Sequence, residues 1–266
     1  MRVPVAAFPL LTGNRVQPWR TASLRRTLPL IEAGDAALSR KQWAAAFAAY
    51  HQVVDIRREL VRTLATPESQ RNLAEALLRL GSTAQTRGYR AAALVFYQET
   101  VDIHRDLART LGTTEARQEL LDSLDWVGLT ALVDEDWVTA TRAYQEELAI
   151  SRDLARTLHT PDILRTLRRS LVGIGDIAAA HGDWGTATSA FGEALDISRY
   201  VESILPDGLS QADRLEALGR VATAAEANGQ WSLLAAIRRE SDDLRRKISR
   251  QLPRGFLADV WNRLKR

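Results

Sequence analysis

Residues 102–113 read DIHRDLARTLGT and residues 149–160 read AISRDLARTLHT, so nearly the same segment occurs twice, 47 positions apart. The same shift brings other residues into register, and we call each set of positions that coincide a column. There is a glycine column at Gly34, Gly81, Gly128 and Gly175, a tryptophan column at Trp43, Trp137, Trp184 and Trp231, and an aromatic column at Tyr50, Tyr97, Tyr144 and Phe191. A constant period over five units indicates an array of structural repeats.

The composition is that of a folded protein, since 45% of the 266 residues are hydrophobic and 26% are charged. No run of about 18 apolar residues occurs, so the sequence predicts no transmembrane helix. The absence of cysteine excludes disulfides, thiolate zinc sites and a cysteine nucleophile. Pro4 and Pro9 interrupt the short apolar stretch at the start, so we read it as non-secretory and expect a cytoplasmic protein.

The charge is unevenly distributed along the chain. The formal net charge is +3, although residues 1–26 carry five arginines and no acid, and residues 238–266 carry ten basic and four acidic residues. The middle of the chain is therefore acidic overall. A uniformly basic nucleic-acid-binding protein does not have this pattern, which makes a nucleic-acid partner an unfavoured interpretation.

Each unit reads as two helices of roughly 20 residues joined by short turns. In the fourth unit, Thr160 supplies an N-cap hydroxyl and Pro161 suits the first helical position, where its missing N–H costs nothing. Apolar residues then recur at spacings of three and four until Gly182 breaks the helix. The second helix is expected from about Asp183 to Leu205.

The segment LVGIGDIAAAHGDWGTATSAFGEAL (residues 171–195) resembles the tetratricopeptide repeat. The small and aromatic packing residues of that motif stand at Gly175, Gly182, Trp184, Ala187, Phe191 and Ala194. The usual unit of the family has about 34 residues, so the 47-residue unit is lengthened. Such units are similar to those of kinesin light chains and of bacterial proteins with caspase-like or signalling-ATPase domains.

The resemblance implies an all-α protein, a right-handed α-α superhelical solenoid of five helix pairs with a C-terminal capping helix. The expected segments are an N-terminal arm at 1–23, units at about 24–66, 67–113, 114–160, 161–206 and 207–253, and the capping helix at 254–266. Pro29 predicts that the first helix begins near it and runs to about Ser39. The last segment could instead be a basic amphipathic helix that docks on a membrane or a partner.

The sequence contains no recognisable catalytic or metal site, so we expect a protein that is not an enzyme and needs no cofactor or metal. The four histidines occupy four different columns and no pair has metal-ligand spacing; they are His51, His104, His159 and His181. Neither a nucleophile elbow nor a phosphate-binding glycine loop occurs. Neighbouring carboxylates such as Asp134 and Asp136 are read as turn residues.

An arginine column could grip phosphates along a superhelix. It comprises Arg58, Arg105, Arg152, Arg199 and Arg246. Aspartates stand three residues before four of these positions, so we favour ion pairs within each helix on a solvated outer face. An acidic protein partner is the other interpretation. The tryptophan column is read as packing between helices, whereas Trp19 and Trp126 have no packing explanation.

In the family, the first helix of each unit lines a concave groove, and the resemblance carries this surface onto numbered positions. The predicted groove residues are Ile31, Asp35, Leu38, Glu75, Leu78, Ser82, Gln85, Asp122, Asp125, Leu129, Leu132, Val133, Arg169, Val172, Asp176, Glu216 and Glu226. The Lys/Asn clamp with which some relatives hold a carboxylate is missing. The mixed apolar and acidic lining favours a protein or peptide partner with apolar anchors and basic flanks, unless several of these apolar residues pack inside the solenoid.

The predicted function is a non-catalytic scaffold or adaptor that binds a partner segment in this groove. The alternative is a regulatory sensor subunit, which changes its superhelical shape when a peptide or small ligand binds and so controls a separate effector. Residues 1–26 are apolar and basic, so a further hypothesis is that this arm docks in the groove of its own chain or of a neighbour. A homo-oligomer is left open.

Overall fold

The computed structural model describes residues 18–251, and side chains from residue 26 to residue 250. This part of the chain forms ten α-helices and no strand. The helices are α1 (Pro18–Ser39), α2 (Trp43–Leu64), α3 (Pro67–Thr86), α4 (Arg90–Leu111), α5 (Thr114–Val133), α6 (Trp137–Leu158), α7 (Pro161–Ala180), α8 (Trp184–Ile204), α9 (Gly208–Ala227) and α10 (Trp231–Gln251). None of these helices has an apolar run that could cross a bilayer.

The helix boundaries recur because their capping chemistry recurs. The hydroxyl oxygens of Thr66, Thr113 and Thr160 each accept the backbone N–H three residues later, at the N-termini of α3, α5 and α7. Asp207 does the same with its carboxylate at the start of α9. These bonds satisfy N–H groups that have no partner within the helix, so α3, α5, α7 and α9 each begin at the same position of their repeat.

The first helix differs from the prediction. It begins at Pro18 rather than near Pro29, which lies inside it. An internal proline removes one backbone hydrogen bond, and here the helix continues through that position. Residues 18–23, which were predicted to belong to the N-terminal arm, are therefore helical. The rest of the predicted arm and the predicted capping helix lie outside the described residues.

The chain divides into two compact blocks, an N-terminal block of residues 1–87 and a C-terminal block of residues 88–266. In the N-terminal block, α2 packs on both α1 and α3. In the C-terminal block, α4 to α9 each pack on the next helix along the chain, and α5 also contacts α7. The division falls within the predicted second repeat, and the repeat boundaries themselves stay predictions.

The glycine and aromatic columns form the core between paired helices. A Cβ at Gly34 would lie 2.6 Å from the ring of Tyr50, and one at Gly175 would clash in the same way with the ring of Phe191. Both rings are buried. The glycines thus let one helix backbone approach an aromatic ring on the next helix, which explains why the two columns recur together.

Candidate functional site

The predicted groove residues of the N-terminal block lie on α1 and α3, where one arginine bonds to acids of both helices. Arg79 donates from Nη1 to Asp35 Oδ1 at 2.9 Å and from Nη2 to Glu75 Oε1 at 3.3 Å. The Tyr50 hydroxyl also donates to Asp35, at 2.5 Å. Ser82 is exposed, while Ile31, Leu38, Leu78 and Gln85 are half-buried. The negative charge expected here is therefore largely neutralised.

In the C-terminal block the predicted groove residues lie on α5, α7 and α9, and all of them are at least partly exposed to solvent. The exposed ones are Asp122, Leu129, Val133, Arg169, Glu216 and Glu226, and the half-buried ones are Asp125, Leu132, Val172 and Asp176. Val172 also packs against two buried clusters of the core. The possibility that some apolar positions pack inside the solenoid therefore applies to Val172.

Most of the predicted groove acids of the C-terminal block are also paired with arginines. The pairs are Asp125 with Arg169, Asp176 and Glu216 with Arg220, Glu216 with Arg168, and Glu226 with Arg238. Among the described side chains, Asp122 is the predicted groove acid that has no ion pair within 4 Å. The acidic character expected from the sequence is thus reduced to the surroundings of Asp122 and Asp125.

An apolar stripe runs along α5. Trp126, Leu129 and Val133 are 42%, 42% and 53% exposed, and their spacings of three and four place them on one side of the helix. Trp126, which had no explanation from the sequence, stacks on Tyr97 of α4 with 5.7 Å between ring centroids. We call Asp122, Trp126, Leu129 and Val133 the α5 face.

The three apolar residues of the α5 face depart from the columns to which they belong, whereas Asp122 shares its column with the acids Glu75 and Glu216. The position of Trp126 holds Glu32, Arg79, Gly173 and Arg220 in the other units, that of Leu129 holds Asp35, Ser82, Asp176 and Thr223, and that of Val133 holds Ser39, Thr86, Ala180 and Ala227. Large apolar side chains therefore occupy all three positions in the third unit alone. A residue that every unit keeps serves the common scaffold, whereas one that a single unit changes is a candidate for binding.

Beneath this surface, Glu147 of α6 is fully buried. Neither of its carboxyl oxygens has a hydrogen-bond partner among the described residues. Burial, reinforced by the charge of Asp125, raises the pKa of Glu147 to about 9, so its carboxyl is protonated at neutral pH. The corresponding positions hold Val53, Thr100, Ala194 and Ser241, so the sequence contained a signal for this residue that column comparison could have found.

Two other carboxyls and one guanidinium act electrostatically on Glu147. Arg169 of α7 approaches Asp125 with 3.3 Å between Nη1 and Oδ2. Partial loss of solvent around the carboxyls raises the pKa of Asp125 and also that of Asp122, although the side chain of Asp122 is exposed overall; the charge of Arg169 opposes both rises. Arg169 also opposes the rise in the pKa of Glu147. We call Asp122, Asp125 and Glu147 the carboxyl cluster.

A family model of the tetratricopeptide repeat matches residues 73–108. The crystal structure of apo RapI superposes with a TM-score of 0.62 at 12% identity, covering 84% of this chain and 72% of RapI. The chain has the fold of a tetratricopeptide-repeat protein. BtubC (BKLC) from P. vanneervenii matches with a TM-score of 0.57 at 14% identity, over 87% of this chain and 94% of that one.

Another match is a Podosopora anserina protein assigned as a kinesin light chain, with nearly identical TPR-like repeats. Its TM-score is 0.57 at 19% identity, over 85% of this chain and 97% of that one. No curated protein matches the sequence significantly. Tetratricopeptide repeats generally act as scaffolds for protein–protein interaction and are typically non-catalytic, and the low identities show the fold alone.

The arginine column makes ion pairs both within helices and between consecutive repeats. The expected pairs three residues apart are confirmed for Arg105 with Asp102, Arg199 with Asp196 and Arg246 with Asp243. The sequence analysis missed a second set, 41 residues apart, which joins Arg105 to Glu146, Arg152 to Glu193 and Arg199 to Glu240. These contacts compete with the proposed grip on phosphates.

The tryptophan column packs less uniformly than expected. Trp43, Trp137 and Trp184 are half-buried, and Trp184 contacts a buried core cluster. Trp231 is 64% exposed, so the packing prediction is wrong there. Its helix is the last one described, and no following helix of the described chain covers it.

A cleft of about 410 Å³ lies between α4, α5 and α6, and it includes none of the predicted groove residues. Arg105 and Glu146, which line it, are bound to each other. Within the described ranges, no three His, Asp or Glu side chains converge in a way that could hold a metal ion. The α5 face is therefore the candidate binding surface, because it is exposed and because its apolar residues differ from those at the same positions of the other repeats.

Proposed function

We propose that the protein is a non-catalytic scaffold or adaptor, and that a partner segment binds on α5, α7 and α9 with its main contact at the α5 face. The observation that carries this proposal is the exposed apolar stripe of Trp126, Leu129 and Val133. Tryptophan is enriched among the residues that dominate binding energy at protein interfaces. A partner that covers the stripe removes apolar area from water, at about 25 cal/mol for each Å².

The partner segment is extended or helical and carries large apolar residues as anchors. The other predicted groove residues of the C-terminal block supply a polar rim, because most of their charges are already paired with arginines. Such a rim contributes more to orientation than to affinity. A second copy of the chain is a less favoured occupant, which the oligomeric state in solution would reveal.

Affinity capture from a native lysate tests the proposal. The diagnostic variant is Leu129→Ser/Val133→Thr, which gives α5 the residues that α3 has at Ser82 and Thr86. The control is Val95→Ala/Val138→Ala, because these valines are each 64% exposed on α4 and α6. Circular dichroism first establishes that both variants are folded.

We expect the same partner with the wild type and the valine control, and its loss from the Leu129→Ser/Val133→Thr variant. Retention of the partner by that variant would show that binding uses another surface, and the proposed site would be wrong. Loss from the control alone would place the interface on the second helices.

A further inference from the structure

The carboxyl cluster has more acidic groups than cations to match them. Arg169 is the cation at the cluster, and its guanidinium lies 3.3 Å from Asp125. Asp122 and Arg169 interact electrostatically, but no ion pair within 4 Å joins them in the described chain. Even without Glu147, two aspartates face one guanidinium, so acidic groups outnumber the cation.

Glu147 gives independent evidence that this place is built to interact. It is fully buried and both of its oxygens lack hydrogen-bond partners in the described part of the chain. Its carboxyl interacts electrostatically with Asp122 and Asp125 of α5 and with Arg169 of α7. The neighbouring Ser170 hydroxyl also acts on the Glu147 carboxyl and opposes the rise in its pKa. By geometry, however, this hydroxyl donates to the backbone oxygen of Thr166 at 3.1 Å and leaves both oxygens of Glu147 without a hydrogen bond from any described residue. An unpartnered buried carboxyl is costly to a scaffold, so its presence beside two more carboxyls needs a reason other than packing.

The columns show that the cluster is particular to this place. Where the third unit has Asp125, the other units have Ile31, Leu78, Val172 and Gly219. Where the fourth unit has Arg169, the second, third and fifth have Glu75, Asp122 and Glu216. Asp125, Glu147 and Arg169 therefore depart from the repeat together, on three helices that meet.

We propose that the carboxyl cluster receives one cationic group of the partner segment, a lysine ammonium or an arginine guanidinium, beside the apolar anchors on the α5 face. This inference rests on the proposed function and adds the chemistry of the partner. Asp122 and Asp125 accept charge-assisted hydrogen bonds from the cation, as carboxylates do from lysine and arginine. The cation supplies the positive charge that Arg169 alone does not.

The geometry of α5 sets the spacing in the partner. Asp122 and Leu129 are separated by seven helical residues, or about 10 Å along the axis. An extended segment covers that distance in about three residues, and a helical segment parallel to α5 covers it in about seven. The basic residue should therefore stand at one of these two spacings from a large apolar residue.

Selection of random dodecapeptides on the full chain tests the inference. The library is selected on the wild type, on Asp122→Asn/Asp125→Asn and on Leu129→Ser/Val133→Thr, after circular dichroism confirms that each is folded. We expect wild-type peptides to combine a lysine or arginine with a large apolar residue at a fixed spacing. The asparagine variant should select apolar peptides with no basic preference.

A double-mutant cycle on the best wild-type peptide then measures the contact. Replacing its basic residue by glutamine, or using Asp122→Asn/Asp125→Asn, should each weaken binding at least tenfold, and combining both should weaken it little further. Absence of a basic preference, or equal binding by the asparagine variant, overturns the inference. If the Leu129→Ser/Val133→Thr variant still loses those peptides, the proposed function stands. Failure to select any peptide, or no effect of either variant, overturns both.

Discussion

Gly173 of α7 lies so close to Tyr144 of α6 that a Cβ at position 173 would be 2.6 Å from ring atoms Cε2 and Cζ. A Cβ at Gly128 of α5 would be 2.8 Å from the same ring, so the ring lies between two glycines. Burial raises the pKa of the Tyr144 hydroxyl, which stays protonated. These two glycines let α5 and α7 approach the helix that carries Glu147.

Replacing Gly173 by alanine should therefore destabilise the protein, although alanine favours helix. We expect a loss of about 1–3 kcal/mol in the free energy of unfolding, because an added methyl in a packed core forces the neighbouring ring or backbone to shift. Gly219→Ala in α9 is the matched control, since nothing lies within 4 Å of its Cβ position. It should be neutral or stabilising by up to about 1 kcal/mol. Equal urea midpoints for both variants would contradict the close approach.

The fold could be predicted from the sequence because its packing residues recur. The glycine column predicts a close approach and the aromatic column predicts what fills it, as Gly34 and Tyr50 show. Capping residues such as Thr160 predict the helix starts for the same reason. The start of α1 was missed because Pro29 was taken as a helix start. The column comparison pointed elsewhere, since the start of α3 at Pro67 corresponds to position 20, close to the observed start at Pro18.

The candidate site could be predicted only in part. Column offsets placed Leu129 and Val133 on an exposed surface, but they did not show that Arg79, Arg169 and Arg220 neutralise most of the acids. The pairs with Asp35, Asp125 and Asp176 join different helices, so they depend on how consecutive repeats are offset in space. The pairs Glu75–Arg79 and Glu216–Arg220 lie four residues apart on one helix, a spacing that the sequence does contain. Glu147 was missed because a glutamate near the middle of an amphipathic helix is normally read as exposed.

The ion pairs between second helices should contribute modestly and should depend on salt. In Glu146→Gln, Arg105 loses the carboxylate to which its Nε and Nη2 donate at 3.0 and 2.9 Å. We expect a loss of up to about 1 kcal/mol at low ionic strength, which falls towards zero in 1 M salt, because both side chains are partly exposed. Glu135→Gln, outside this set of pairs, is the control. A salt-independent loss in denaturant titrations would show that packing, rather than charge, is responsible.

Glu147 should make the stability of the protein fall as pH rises. Its pKa is about 9 in the folded protein against an ordinary 4.5, so between these values the folded state keeps a proton that the unfolded state has lost. The stabilisation is complete below the lower value and is lost towards the higher one, at up to about 1.4 kcal/mol per pH unit.

Urea unfolding from pH 6 to pH 9 measures this dependence. Glu147→Gln should have a shallower slope than the wild type and should be more stable than it at pH 8. Glu146→Gln, one residue away on the same helix, should keep the wild-type slope. If Glu147→Gln and the wild type had parallel profiles, the carboxyl would be ionised or solvated in the folded state.

The most direct test of the account is photo-crosslinking of the captured partner from α5. A benzophenone amino acid is placed at position 129 in one variant and at position 138, on α6, in another, since both native side chains are exposed. Mass spectrometry then identifies the crosslinked chain. We predict that the partner crosslinks from position 129 and not from position 138, through a segment that contains a large apolar residue. A partner that is captured by both variants but crosslinks only from position 138 would contradict the claim that the α5 face is the binding surface.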